Sequence, residues 1–324
     1  MKKALSIVLA VAVLALSLVG CGGAASSAPA AGDAAYTVGI VQLVEHVALD
    51  AATQGFQDAL KAELGDAVSF EFANAQNDPA TCATIANGFV SAGVDLIMAN
   101  ATPALQAAAA ATADIPILGT SVTEYGVALG IDGFTGTVGN NVSGTSDLAP
   151  LDEQAAMIKE WFPDASIVGL LYCSAEANSQ YQVDVVQAEL EALGYTVTQY
   201  PFSDSNDLSG VCTTAANASD VIYVPTDNTV AANTGIVDNI CRPAGVPVVA
   251  GEEGICSGCG VATLSISYYD LGVTTGEMAA KILKGEADVT QMPIEYTGVT
   301  KKYNAAICED LGLTVPDGYV AIEG

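Results

Sequence analysis

VGIVQLV (38–44) and VGLLYCS (168–174) decide the fold, because each opens one of two stretches that match segment by segment. FANAQND (72–78) is echoed by FSDSND (202–207), DLIMANATPALQAA (95–108) by DVIYVPTDNTVAA (220–232), and IPILGTS (115–121) by VPVVAGEE (246–253). Echoes in one order define an internal repeat, and its units are short β-rich runs followed by helical patterns. Residues 37–43 read as a strand and 48–64 as a helix with apolar residues at helical spacing. Residues 68–73 form a second strand, and 79–92 a second helix with Pro79 in its first turn. A third strand at 96–99 leads into an Ala-rich helix from Thr102, and 115–118 form a fourth. Repeated βα units predict parallel sheets covered by helices on both faces, hence two similar, doubly wound α/β lobes.

The segment GTVGNNVSGTSDLAP (136–150) is rich in Gly, Ser, Thr and Asn and reads as a connection. Residues 260–267 lead into a helix at 268–284 that is expected to return to the first lobe. Lobe one is expected to hold 36–145 plus 264–292, and lobe two 146–263 plus 293–324, joined by a hinge of several strands. Two lobes joined in this way can close on something held between them.

Ahead of the repeat, Lys2 and Lys3 precede an apolar run at 4–18, shorter than the ~20 residues that span a bilayer. Residues 1–20 therefore read as a removable export signal. Leu18-Val19-Gly20-Cys21 resembles the lipobox of bacterial lipoproteins, in which the Cys21 thiol would carry a diacylglycerol. Residues 21–35 are mostly Gly, Ala, Ser and Pro, a flexible tether unable to bury a core. Of nine basic residues two lie in the signal, leaving seven against 37 acidic ones, a formal charge of −30. Such a surface repels nucleic acid and anionic headgroups.

Seven cysteines remain after Cys21, an odd number that argues for free, buried thiols. Cys256-Ser257-Gly258-Cys259 has metal-ligand spacing, but no second such pair accompanies it and His46 is the single histidine, so no metal is expected. No cofactor is expected either.

In parallel α/β sheets, ligands bind beyond the carboxyl ends of the strands. Here those positions carry Gln42 to His46, Asn100 to Pro103 and Gly119 to Thr123 in one lobe, and Cys173 to Ser179, Thr226 to Thr229 and Gly251 to Glu253 in the other. Arg242 is the only arginine, so an anionic group would rest on hydroxyls, amides and helix-start N–H groups, where Thr102, Ser121, Thr123, Asn178 and Ser179 stand. Asp227 offers an ammonium group a charged acceptor. Together these point to a zwitterion, an amino acid. Plainer roles stay open: Asp227, Asn178 and Ser179 as helix caps, Glu252 and Glu253 as surface charge, Glu45 and His46 as a solvated pair, Tyr268 and Tyr269 as hinge packing.

VGIVQLVEHVALDAATQGF (38–56), ANATPALQAA (99–108), EANS (176–179), PTDNT (225–229), GEEG (251–254) and YYDLGVTTGEMAAKILKGE (268–286) together resemble one family. It is the ABC transporter substrate-binding lipoproteins for tryptophan, tyrosine and related aromatic amino acids, with the type I periplasmic-binding-protein fold. The resemblance implies a monomer, held at the membrane by its lipid, that closes on one amino acid and presents it to a permease driven by an ATPase. By position, Asp227 would take the α-ammonium with Thr226 and Asn228 beside it. Thr102, Ser121, Asn178 and Ser179 would contact or line the carboxylate, and Gln42, His46 and Glu252 would enclose the side chain. Val47 stands where the family usually has Pro, and Cys173 where it has a polar residue, which leaves the identity of the amino acid open.

Competing readings are weaker. Two-lobed cysteine racemases would need thiolates at strand ends, whereas Cys82 and Cys212 fall inside predicted helices. No Ser-His-Asp set exists without His46, and no phosphate loop is present, so catalysis is not expected. The same fold could take a sugar, nucleoside or branched-chain amino acid, or serve a sensor. Trp161, the one tryptophan, sits in a predicted helix and offers no sugar platform.

Overall fold

The computed structural model describes residues 34–322, so the expected signal, Cys21 and most of the tether lie outside the described residues. The first half runs β1 (Tyr36–Gln42), α1 (Val47–Leu64), β2 (Val68–Asn74), α2 (Pro79–Ala92), β3 (Leu96–Asn100), α3 (Thr102–Ala111), β4 (Ile117–Val122), α4 (Tyr125–Leu129) and β5 (Val142–Ser146). The second runs α5 (Leu151–Trp161), β6 (Ile167–Cys173), α6 (Ala177–Ala192), β7 (Thr196–Phe202), α7 (Ser205–Ala218), β8 (Val221–Val224), α8 (Asn228–Ala231), α9 (Thr234–Ala244), β9 (Val248–Ala250), α10 (Glu253–Cys259) and β10 (Ala262–Ile266). There follow α11 (Tyr268–Leu283), β11 (Glu295–Tyr296), β12 (Val299–Tyr303), α12 (Ala305–Asp310) and β13 (Val320–Ala321).

The sequence repeat becomes a structural one. One sheet is ordered β11-β5-β4-β3-β1-β2 and the other β13-β12-β10-β9-β8-β6-β7. Within them β2-β1-β3-β4-β5 and β7-β6-β8-β9-β10 have the same order, and every pairing among these strands is parallel. Alternate strand residues feed different cores. Leu170 and Tyr172 face one side of the second sheet with Val183 and Trp161, while Leu171 and Cys173 face the other with Leu208 and Val237. Ile97 and Ile40 divide the first sheet in the same way. The sheets are covered on both faces, and their strands read as near-continuous apolar runs for that reason.

Local signals set the helices. Asp78 caps α2 by accepting from the Ala80 N–H, Pro79 fills its first turn, and Gly93 ends it in the left-handed conformation. Cys82 and Cys212 lie in α2 and α7, and all seven cysteines of the described residues are buried and unpaired.

The connection read at 136–150 contains a strand. All five residues of β5 (VSGTS) are buried, and all but Thr145 pair with β4. Hydroxyls inside the sheet take the place of apolar periodicity: Tyr125 Oη donates to the Thr145 carbonyl at 3.0 Å, and Thr145 shares a hydrogen bond with Thr275 at 2.9 Å. Gly144 has φ of +142°, and a Cβ there would sit 2.0 Å from the Gly119 carbonyl oxygen.

After β10 the chain returns to the first lobe. There α11 lies against α1 so closely that a Cβ on Gly55 would meet Tyr269 O at 2.1 Å, and one on Gly272 would meet Ala52 O at 2.0 Å. Glu295 and Tyr296 pair with Thr145 and Ser146, so the last crossing follows Tyr296, a little later than the expected boundary. The lobes are thus joined after β5, after β10 and after β11. Among the described residues no helix is long and apolar enough to cross a membrane.

Candidate functional site

Loops from the carboxyl ends of both sheets meet in a narrow cleft lined by His46, Leu49, Ser121, Thr123, Asp147, Asn178, Thr226, Asp227, Asn228, Ala231, Glu252 and Tyr268. The first-lobe wall is strained and neutral. Ala101, just before α3, has φ +90° and ψ 158°, a region almost confined to glycine, and Ser121 has φ +54°. Such residues cost about 1–3 kcal/mol each and persist where the surroundings hold them. The Ser121 hydroxyl is buried with no protein partner, as is the Thr102 hydroxyl at the start of α3. His46 precedes α1 without capping it; its Nε2 lies 3.4 Å from Asn228 Oδ1 across the cleft and its Nδ1 has no partner. Burial lowers its pKa below the usual histidine value, so the imidazole is neutral at pH 7.

The second-lobe wall is acidic. Asp227 caps α8 through Oδ1, accepting from Val230 N at 2.9 Å, while Oδ2 accepts from Cys173 N at 2.7 Å and Ser179 Oγ at 2.8 Å. Burial, reinforced by the Glu176 charge, pushes its pKa up to about 8. Glu176 reaches from the start of α6 to the start of α8 and accepts from Asn228 N and Nδ2, Thr229 N and Oγ1, and Asn178 Nδ2. Glu252 caps α10 through the Gly254 and Ile255 N–H groups, and burial pushes it up to about 7. Asn178 Nδ2 is also donated to the Thr226 carbonyl, so its free, buried group is Oδ1, an acceptor.

A fourth carboxylate stands at the hinge. Asp147 follows β5, is 3 % exposed, accepts from Tyr268 Oη at 2.9 Å through Oδ2, and has no donor at Oδ1. Burial raises its pKa. No lysine or arginine is among the residues lining the cleft. Two hydrogen bonds join the lobes at its mouth, His46 with Asn228 and Asn77 Nδ2 donating to Thr229 Oγ1 at 3.0 Å.

Of the residues expected from sequence, His46, Ser121, Thr123, Asn178, Thr226, Asp227, Asn228 and Glu252 line this cleft. Ser179 stands behind Asp227 as a donor to it. Thr102 is buried beside the strained Ala101 and is not among the lining residues. Gln42 is turned away: its amide donates to Val44 O and Asp50 Oδ1, and its oxygen accepts from Thr53. Glu252 is buried and not a surface charge, while Glu253 pairs with Lys302 at 2.7 Å. Cys173 donates its thiol toward Ser203 O from within the apolar core, and Val47 is 74 % exposed at the first position of α1, where proline is well accepted.

Sequence reasoning passed over Asp147 and Glu176, and gave Tyr268 only a packing role. The signal for Asp147 was available: it is the one acid in 136–150, directly after a strand end. No group of three or more His, Cys, Asp or Glu side chains among the described residues could hold a metal.

The model for ABC transporter substrate binding proteins matches residues 37–321. The tyrosine-binding protein of Clostridioides difficile (strain R20291) is 37 % identical over 302 residues, covering 90 % of this chain and 87 % of that one. An ABC domain from Streptococcus pneumonia in complex with L-Trp is 32 % identical with a TM-score of 0.83, covering 89 % of this chain and 99 % of that one. A ligand-free, open substrate-binding protein with adhesive properties from Clostridium difficile is 38 % identical, covering 89 % and 100 %, yet its TM-score is 0.67. The more identical chain has the lower TM-score, so this chain superposes more closely on the L-Trp complex than on that open structure. A myo-inositol-bound neighbour at 17 % identity shares the fold alone.

Proposed function

The chain belongs to the ABC transporter substrate-binding proteins, and from that premise we propose that it captures an aromatic amino acid, tyrosine or tryptophan, between its lobes. One observation carries the proposal: buried carboxylates face a cleft with no basic side chain, a setting in which a ligand cation would favour their charged form. The opposite wall offers hydroxyls and a neutral imidazole, which suit a carboxylate and an uncharged side chain. The relatives that bind tyrosine and hold L-Trp support the aromatic class.

In this reading Asp227 takes the α-ammonium, with Thr226, Asn228 and the Asn178 carbonyl beside it. Ser121 and Thr123 receive the carboxylate, with Thr102 and Ser179 supporting the two sides from behind. His46 and Glu252 enclose the side chain, and Gln42 braces the loop after β1. The units that close are the two lobes, with the expected boundaries near 145, 264 and 292 moved so that β5 and β11 belong to lobe one and β10 to lobe two. Proteins of this family act outside the cytoplasm; here we place the chain as a monomer, anchored by a lipid on Cys21 after removal of residues 1–20, handing its ligand to an ABC permease and its ATPase.

A thermal-shift screen of the twenty amino acids on protein lacking residues 1–21 tests this. Tyrosine, tryptophan or phenylalanine should raise the melting temperature, since ligand at 100 times Kd stabilises by about 2.7 kcal/mol. A shift produced only by a sugar or nucleoside sinks the proposal.

A further inference from the structure

Resting on the amino-acid reading, we infer that Asp147, held in place by Tyr268, completes the seat of the ligand's ammonium group. The four buried carboxylates differ in how far the protein satisfies them. Glu176 has donors on both oxygens from Asn228 and Thr229, Asp227 has three donors, and Glu252 has two backbone N–H groups. Asp147 accepts at Oδ2 from the Tyr268 hydroxyl, has the Thr123 hydroxyl near enough to steady its charge, and keeps Oδ1 buried with no hydrogen-bond partner. A carboxylate offers about four lone-pair sites, so Asp227 has one left, Glu252 about two, and Asp147 at least the two of Oδ1. Leaving a buried charged oxygen without a partner is costly, and protein interiors rarely do so.

An ammonium group brings three donors. Of the acceptors lining this cleft, Asp147 Oδ1 and Asn178 Oδ1 are buried with no partner at all, while Asp227 and Glu252 keep sites beyond the donors they already have. Asp147 alone among them lies on a crossing between lobes, one residue beyond β5, and Tyr268 opens α11 just past the crossing after β10. The Asp147–Tyr268 bond therefore ties two hinge strands together at the point where the ligand's charge would arrive. Asp227 is a residue of the second lobe; Asp147 makes the ammonium a contact of the hinge as well.

Calorimetric titration of tyrosine and of its des-amino analogue, 3-(4-hydroxyphenyl)propanoate, into wild type, Asp147→Asn and Tyr268→Phe tests the assignment. Wild type should prefer tyrosine by at least a hundredfold. Asp147→Asn should weaken tyrosine by at least thirtyfold and leave the analogue unchanged or tighter, so the preference shrinks; Tyr268→Phe should move it in the same direction by a few-fold. Ligand-free Asp147→Asn should melt no lower than wild type, because a buried, unpaired charge has been removed. Should it fail to fold, Asp147→Ser replaces it in the same comparison. Full preference for tyrosine in the variant overturns the role of Asp147 alone. A wild type that binds no amino acid overturns the functional reading, and the ammonium seat with it.

Discussion

The two walls of the cleft come from one repeated fold and carry opposite chemistry. Strand ends of the first lobe present Ser121, Thr123 and His46, neutral groups on a backbone bent into positive φ at Ala101 and Ser121. Equivalent strand ends of the second present Asp227 and Glu252, with Glu176 behind Asn228, each folded into a helix start that supplies donors. In the proposed reading, the repeat sets where a ligand touches the chain, and single residues set which end of the ligand goes where. A zwitterion matches that polarity, carboxylate toward the first lobe and ammonium toward the second.

The sharpest way to break this contrast is to remove one group from each wall. Asp227→Ala should abolish binding, beyond a hundredfold, and should also lower the unfolding free energy by about 2–4 kcal/mol, because Val230 N–H, Cys173 N–H and the Ser179 hydroxyl lose their acceptor. Ser121→Ala, by contrast, should weaken the ligand about tenfold, or about 1.4 kcal/mol, while stability stays within ~0.5 kcal/mol, since that hydroxyl has no protein partner to lose. Calorimetry beside urea unfolding reads both. Equal stability losses in the two variants would erase the distinction between the walls.

A titration sharpens it further. Glu252 is pushed up to about 7 and Asp227 to about 8 in the folded chain, against ordinary values near 4. Between those limits the folded state holds protons that the unfolded state has released, so these groups stabilise at low pH and lose that contribution as pH rises through 7 and 8. His46, with its lowered pKa, acts in the opposite sense only below its unfolded value near 6.5. The melting temperature of ligand-free protein should therefore fall from pH 6.5 to 8.5, and saturating ligand should flatten the slope by pairing the carboxylates. A ligand-free melting temperature that rises across that range would contradict the acidic wall.

The smallest effect is expected at Ala101. Its φ of +90° with ψ 158° suits glycine, so Ala101→Gly should stabilise by about 1 kcal/mol after the unfolded-state entropy of glycine is deducted. Urea unfolding measures it, and any loss of stability would mean the neighbouring contacts, not the backbone, set the energy there.

What the sequence disclosed follows from what each segment buries. Strands such as β1 and β8 are covered on both faces and read as Val, Ile and Leu runs, so the repeat and the two parallel α/β lobes were legible, though the strand order was not read. The strand β5 was not, because it buries VSGTS and satisfies its hydroxyls through Thr120, Thr123, Thr275 and Met292 instead of by apolar contact. Asp147 was hidden with it, having been read as part of a connection. Asp227 was legible from two directions, as a cap and as a ligand acceptor, and the structure gives it the first without removing the second. Gln42 misled because strand position does not reveal rotamer: it ends β1 like its neighbours in the cleft, yet its amide turns back to Asp50 and Thr53 of α1.

Asn77–Thr229 and His46–Asn228 are single hydrogen bonds, and a bond of that kind adds only about 1 kcal/mol at equilibrium. Their position gives them a different importance. Both engage the first residues of α8 from the other lobe, so in the proposed reading they must open for the lobes to part and release a captured molecule. They act on dwell time more than on occupancy: loosening them would shorten residence while the seat itself stayed intact, since changes within one interface fall mainly on the rate of departure.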